Sequence, residues 1–143
     1  MAKTVAILVA RAIFAGVFAM AAVFKFADIG ATATYIAAIG FPAPLLFAWL
    51  AAFFELALVA AFLTGLYFSE AALLAAAYVL FLAFAFHGPS HWTGNQMEFG
   101  AFIDHFSFIA GLLFAAVQGP GNTLVVRRSN RAANLEPAGA AGA

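Results

Sequence analysis

The chain has 143 residues, of which 66% are hydrophobic and 8% are charged, and its formal net charge is zero. A soluble domain is about 45–50% apolar and about 25% charged, so this composition excludes an ordinary soluble protein and indicates a one-domain integral membrane protein. The zero net charge and scattered bases give no basis for nucleic-acid binding. The lack of cysteine excludes disulfides, thiolate catalysis, c-type haem attachment and cysteine-ligated metal sites.

The first predicted membrane span covers about residues 4–27. A helix needs about 20 apolar residues to cross a bilayer, and this segment is long enough. Arg11 interrupts the apolar run, which argues against a cleaved signal peptide, and Lys25 lies near its end. We therefore expect the segment to be retained as a transmembrane helix.

A connector of residues 28–44 follows, and it is too short to form another span. Thr32 or Thr34 is the expected N-cap of a short helix that runs through Ile39. Tyr35 is an aromatic side chain of the kind that anchors segments at the membrane surface. The connector is therefore predicted to contain a short interfacial helix.

Three further spans are predicted at about residues 43–64, 69–86 and 99–118. Ser69 is the expected N-cap of the third span, because serine oxygens accept hydrogen bonds from the free N–H groups of a first turn. Together with the first span, these segments predict an all-α fold, an integral membrane antiparallel four-helix bundle. Its domain is expected to cover residues 1–121.

Residues 122–143 form a tail that is first basic and then rich in alanine and glycine. Such a composition cannot build a core, so disorder is expected. The bases of the chain concentrate near its two termini, whereas the connectors between spans carry none; the terminal bases are Lys3, Arg11, Arg127, Arg128 and Arg131. The positive-inside rule therefore predicts that both termini are cytoplasmic.

Helical spacing predicts which faces of the spans pack inward. In the first span the inward stripe is Arg11, Ala15, Phe18, Ala22 and Lys25, and in the fourth span it is Ala101, Asp104, Phe108, Gly111 and Ala115. In the second span, small residues that allow close helix approach flank Glu55, namely Ala48, Ala51 and Ala52. Large side chains are expected to face lipid or a partner: Phe47, Phe54, Phe62, Leu80, Phe84 and Leu113.

Apart from Glu70 in the first turn of the third span, two bases and two acids lie inside the predicted spans: Arg11, Lys25, Glu55 and Asp104. An unpaired charge in hydrocarbon is costly, so Lys25 is expected to pair with Glu55, with Asp104, or with both. On a structural interpretation these pairs only fix helix register and topology. On a functional one, these four residues and His105 form an intramembrane polar pocket that opens to the outer face and holds a small ligand or passes protons.

Histidines allow two further interpretations, and neither is favoured. His87 and His105 are of the type that ligates haem or a pigment, but they lie at different depths of their helices. His87, His91 and Glu98 are the candidates for a metal at the outer surface, although their spacing is weak evidence without a helix beneath it. No metal site is therefore predicted.

Several motifs together resemble one known family. They are the early Arg11, the run at 24–28 (FKFAD), the connector at 35–44 (YIAAIGFPAP), and Glu55 followed by Gly65. Over about residues 6–118 the chain resembles the DoxX family of small bacterial four-helix membrane proteins. Asp104 and His105 stand where a Lys–Asn type pair often occurs in that family.

The resemblance implies a multi-pass protein of the bacterial inner membrane with redox-linked relatives. Some relatives are subunits linked to quinone-dependent sulfur oxidation at terminal oxidases, and others associate with redox-stress proteins. The thiol-dependent roles of some relatives cannot apply to a chain without cysteine.

The favoured function is a non-catalytic accessory subunit of a larger membrane redox complex, respiratory or photosynthetic. One alternative is a quinone-linked oxidoreductase subunit that uses the pocket at Lys25, Glu55 and Asp104, and another is a small proton-linked transporter that uses Glu55. The expected partners are membrane lipids and other membrane subunits. Among cofactors, the sequence is compatible with a quinone and does not favour haem or a pigment, and no catalytic residue is identified.

Overall fold

The computed structural model describes residues 1–126, and over that range the chain is helical without strands. It has five α-helices and a single 3₁₀ turn at Pro89–His91; the helices are α1 (Ala2–Ala27), α2 (Ile29–Ala38), α3 (Pro44–Thr64), α4 (Phe68–His87) and α5 (Gln96–Gln118). Helices α1, α3, α4 and α5 are long and apolar enough to cross a membrane. The prediction of an all-helical fold with four helices that are long and apolar enough to span a membrane is therefore confirmed for the described residues.

The short helix α2 is capped by Asp28 and not by a threonine. The Asp28 carboxylate accepts a hydrogen bond from the Ala31 N–H at 2.8 Å. Thr32 and Thr34 instead donate their hydroxyls to carbonyls one turn back, at 3.2 and 3.0 Å. The predicted threonine cap is wrong because Asp28 follows α1 directly and satisfies the first turn of α2 itself.

Two other helix starts differ from the predictions by one to three residues. The N-cap of α4 is Tyr67, in the left-handed region at φ 52, so Ser69 lies within the first turn and is not the cap. Helix α5 begins at Gln96 because the Asn95 side chain accepts a hydrogen bond from the Glu98 N–H. Both starts depend on the turn that precedes the helix, which apolar periodicity does not report.

The helices associate in pairs. Helix α1 packs along α3 and α4 packs along α5, whereas in residues 1–126 no Cα of α1 comes within 8 Å of a Cα of α5. Side chains bridge this gap, since the Phe108 ring lies 5.5 Å from that of Phe14 and 5.8 Å from that of Phe18. An open groove therefore runs between α1 and α5.

This pairing explains which predicted faces are buried. The α1 stripe is correct, because Arg11, Ala15, Phe18 and Ala22 are all buried against α3. The α5 stripe is only partly correct: Ala101, Phe108, Gly111 and Ala115 are half-buried, but Asp104 is exposed, and the buried residues of α5 are Phe102 and Leu112. Helix α5 packs mainly on α4, so the face that would meet α1 remains only half-covered.

Small side chains fill most of the interior, as close helix packing requires. Ala48, Ala52, Ala72 and Ala75 are fully buried. Phe62 was expected to face lipid, but it is fully buried, because its ring packs between Phe14, Phe18 and Phe68 at 5.5–5.9 Å. The other large side chains follow the expectation except Phe54, which is half-buried; Phe47, Leu80, Phe84 and Leu113 are exposed.

Candidate functional site

Glu55 is the polar centre of the bundle, and it is only 1% exposed. The Lys25 ammonium donates to both carboxylate oxygens, at 2.8 and 2.9 Å. The Tyr78 hydroxyl donates a third hydrogen bond to one of them at 2.8 Å. The Glu55 carboxylate on α3 therefore accepts three hydrogen bonds, two from a side chain of α1 and one from a side chain of α4.

Of the three arrangements expected for Lys25, the structure has the pair with Glu55. The Lys25 side chain is 20% exposed, so its apolar stem lies along the bundle while its ammonium reaches inward from the end of α1. Asp104 is not its partner. The carboxylate of Asp104 is exposed, and it has no hydrogen bond or ion pair with any described residue.

Arg11 lies about 21 Å before Lys25 along α1, away from this cluster. It is buried, and its guanidinium donates to carbonyls: Phe62 at 2.9 Å, Leu63 at 2.6 Å, Pro120 at 3.3 Å, Thr123 at 2.9 Å and Leu124 at 2.8 Å. The expectation that Arg11 belongs to the polar pocket therefore does not match its position. It joins the end of α3 to the segment that follows α5.

This arrangement completes the hydrogen bonding at the C-terminus of α3. The last four carbonyls of a helix have no partner within it. Here Ala61 accepts from the Gly65 N–H, Arg11 serves the next two, and Thr64 accepts from the Val126 N–H at 2.9 Å. Residues 120–126 are thus tied to the bundle through carbonyls and N–H groups.

A histidine cluster closes the turn between α4 and α5. The His87 Nδ1 lies 2.6 Å from a carboxylate oxygen of Glu98, and the Trp92 indole donates to the His87 carbonyl at 2.7 Å. The His105 Nδ1 lies 2.6 Å from the Ala101 carbonyl, so that nitrogen carries the proton. The two imidazole rings are 5.0 Å apart.

The weak metal candidates do not converge. Among residues 1–126 the His91 imidazole has a hydrogen bond only with the adjacent Ser90 hydroxyl, at 3.3 Å, and it stands apart from the His87–Glu98 pair. Across residues 1–126 there is no group of three or more His, Asp or Glu side chains in position to hold a metal ion.

A cavity of about 250 Å³ lies beneath α2, and we name it the α2 cavity. All five helices contribute to its wall. Its polar groups are Lys25, Thr32, Tyr35, Tyr78, His87 and His105, and its aromatic rings include Phe41, Phe47, Phe81 and Phe86. It is therefore a largely apolar space with basic groups on opposite sides.

A second cavity of about 410 Å³ opens toward the groove between α1 and α5. Glu55, Asp104 and His105 all line it, and Tyr78 and His105 separate it from the α2 cavity. Of the five predicted pocket residues, Lys25, Glu55, Asp104 and His105 therefore line one or both of these cavities, whereas Arg11 lines neither.

Tyr35 of α2 closes one side of the α2 cavity. Its ring stacks on Phe86 with centroids 4.7 Å apart. Burial raises the pKa of the Tyr35 phenol, and the negative charge of Glu98 raises that pKa further. The phenol is consequently a neutral donor at neutral pH.

Tyr78 is the residue of this site that was not predicted from the sequence. The available signal was a phenol in an apolar span, because a buried tyrosine hydroxyl usually requires a hydrogen-bond partner.

The comparisons with known proteins bear on most of these residues. A family model described as DoxX matches residues 6–88, which run from α1 to the end of α4 and include Lys25, Glu55 and Tyr78. The expected resemblance extended to about residue 118, but α5 lies outside the match. Searches of curated proteins and of solved structures gave no match. Since the matched residues make up more than half of the chain, this protein belongs to the DoxX family.

Proposed function

We propose that this protein is a non-catalytic accessory subunit of a larger redox complex, respiratory or photosynthetic, in the bacterial inner membrane. Asp104 carries the proposal. It is an exposed carboxylate on an apolar helix of spanning length, and residues 1–126 offer it no partner. A carboxylate is costly at that depth, and a base or hydroxyl on a neighbouring transmembrane subunit would remove the cost. The redox character of the complex rests on what the resemblance to DoxX proteins implies.

The surroundings of Asp104 support a partner on this face. Helix α5 is the least buried of the four candidate spans, with 17% of its most apolar window buried. Large exposed apolar side chains occupy other positions around the same helix, namely Ile103, Phe106, Leu113 and Phe114. Arg11, Lys25 and Glu55 are already engaged inside the bundle, and the exposed Lys3 and Glu70 lie in the first turns of their spans. The proposal therefore assigns α5 to the interface with the complex.

The membrane arrangement is part of the same proposal. The four spans form an antiparallel bundle, since residues that meet between α1 and α3 run in opposite sequence directions: Phe14 meets Phe62, and Phe26 meets Trp49. Helix α2 lies at the membrane interface, which suits its ten-residue length. The positive-inside rule places both termini in the cytoplasm.

The test uses the full chain extracted in a mild detergent. A photo-crosslinking amino acid at Ser107, one turn from Asp104, is expected to trap a membrane subunit of a complex whose absorption spectrum shows a redox cofactor. The variant D104N is expected to reduce this crosslink at least about five-fold, since a charge-assisted contact contributes about 1.5–3 kcal/mol. The matched control is E70Q, which removes an exposed carboxylate at the start of α4. A colourless chain without partners would overturn the proposal.

The α2 cavity favours a second candidate, a quinone-linked subunit. Its aromatic walls suit a planar ring, and the Lys25 ammonium and the Tyr35 phenol on its wall are donors for quinone oxygens. Binding of a short-chain benzoquinone to the purified protein is expected to be lost in A51F, which fills the cavity. The control is A57F, because Ala57 is exposed and does not line the cavity. Equal binding by both variants, or none by the native chain, would contradict this candidate.

A further inference from the structure

A polar cavity of about 390 Å³ lies where the start of α1 meets the segment after α5. Five polar side chains line it: Lys3, Thr4, Gln118, Asn122 and Thr123. None of these side chains has a hydrogen bond or ion pair with another described residue. The lining thus contains one base, four neutral polar groups and no acid.

The polar cavity continues into the groove between α1 and α5. This part of the groove has a volume of about 600 Å³, and it shares Lys3, Ile7 and Gln118 with the polar cavity. Its other lining residues are mostly apolar and include Ala6, Ala10 and Phe14. Gly111 forms part of its floor, where a Cβ atom would already lie 3.5 Å from the Phe14 ring. One continuous depression is therefore polar at its mouth and apolar along its length.

Arg11 fixes the shape of this mouth. Its guanidinium donates to the Pro120 and Thr123 carbonyls, at 3.3 and 2.9 Å, and so holds the segment that forms one wall. Gly121 of this segment lies beside Ile7, where a Cβ atom would approach the isoleucine side chain to 3.4 Å. The polar cavity is consequently preformed by contacts that do not involve its polar lining side chains.

We propose that this depression is a binding site for an anionic phospholipid. The headgroup phosphate lies in the polar cavity against the Lys3 ammonium, with amide and hydroxyl donors from Gln118, Asn122 and Thr123. One acyl chain lies in the groove between α1 and α5, over Phe14. Basic pockets between membrane helices select anionic headgroups, and an ammonium surrounded by neutral donors suits phosphate oxygens.

The charges of the described residues favour this end of the bundle over the other. Glu70 lies at the start of α4 and lines neither part of the depression. At the opposite end, Asp28 and Glu98 lie beside the connectors, where they would repel an anionic headgroup. The site therefore binds lipid of one leaflet, the leaflet on the side of the chain termini.

The experiment measures thermal unfolding of the full chain in a neutral detergent with added lipid. Phosphatidylglycerol is expected to raise the midpoint temperature more than phosphatidylcholine with the same acyl chains, whereas inorganic phosphate alone has no effect. K3Q is expected to weaken phosphatidylglycerol binding about five-fold, the contribution of one base at an anionic surface, and K3R to retain it. A6W should block the groove, and A60W is its control, because Ala60 is exposed and lines neither part of the depression.

Each outcome decides the matter. Equal stabilisation by both lipids, or an unchanged affinity in K3Q, would show ordinary lipid contact and overturn the proposal. An equal shift with inorganic phosphate would show an anion site without an acyl chain, and it would overturn the proposal as well. Should A6W not fold, K3Q and K3R still decide between the results, because Lys3 is exposed and bonded to no described residue.

Discussion

Helix α1 buries two basic side chains, Arg11 and Lys25, in different ways. Arg11 and Lys25 lie on one stripe of α1, and both bind α3. Arg11 is surrounded by five backbone carbonyls and meets no carboxylate among the described residues. Lys25 instead binds the Glu55 carboxylate. The same need, compensation of a buried positive charge, is met by the end of a helix in one case and by an acid in the other.

The backbone explains the difference. Arg11 reaches the C-terminus of α3, where the last carbonyls have no partner within the helix and carry the negative end of its dipole. Glu55 lies in the middle of α3, where the carbonyls are already bonded within the helix. A base at that level needs an acidic side chain. The planar guanidinium also has five N–H donors to distribute, whereas an ammonium has three.

The largest effect is expected from breaking the pair in the middle of the bundle. K25M would leave the buried Glu55 carboxylate with only the Tyr78 hydroxyl, and we expect the free energy of unfolding in mixed micelles to fall by about 3–5 kcal/mol. E55Q should cost less, because its amide still accepts and donates hydrogen bonds.

Charge reversal provides the control for this pair. The double variant K25E/E55K is expected to recover part of the stability or expression that either single reversal loses. The reason is that the ion pair joins α1 to α3, and the exchange restores a pair of opposite charges between the same two helices. If the double variant were no better than the single ones, the ion pair would not be the contact that joins these helices.

A smaller effect is expected from R11K, which changes the base that binds the backbone carbonyls. Lysine can serve at most three of the five carbonyls, so we expect a loss of about 2 kcal/mol in the free energy of unfolding. Proteolysis after residue 118 should become faster at the same time, because Arg11 holds the Pro120 and Thr123 carbonyls.

The reciprocal exchange K25R sharpens the comparison. A carboxylate accepts from either base, so K25R should cost about 1 kcal/mol or less. A loss from R11K no greater than that from K25R would mean that the carbonyls around Arg11 distinguish arginine from lysine no better than the Glu55 carboxylate does.

These contrasts also mark how far the sequence could predict the fold. The α1 face was predictable, because helical spacing places Arg11, Ala15, Phe18 and Ala22 on one side and α1 packs mainly on α3. The α5 face was not. Its stripe assumed a closed bundle in which α5 meets α1, but the backbones of these helices stay apart. Spacing within one helix does not report which neighbours surround it.

The same limit applies to the site. The pairing of Lys25 with Glu55 was one of three arrangements that charge and depth allowed, and geometry alone separates them. The environment of Arg11 was not predictable from side chains, because its partners are carbonyls. Asp104 was expected inside, and its exposure removes it from the bundle interior. Balanced charges within a sequence therefore do not establish that each charge is paired within the chain.

An effect of similar small size is expected from Y78F, which tests whether the ammonium or the phenol dominates at Glu55. This change removes one neutral donor and leaves both Lys25 contacts, so we expect a loss of about 1 kcal/mol in the free energy of unfolding. The control is Y35F, which should be nearly neutral because the Tyr35 hydroxyl has no hydrogen bond with a described residue. If Y78F cost as much as K25M, the phenol would be the main partner of Glu55. The contrast between Arg11 and Lys25 would then be one of donor number and not of charge.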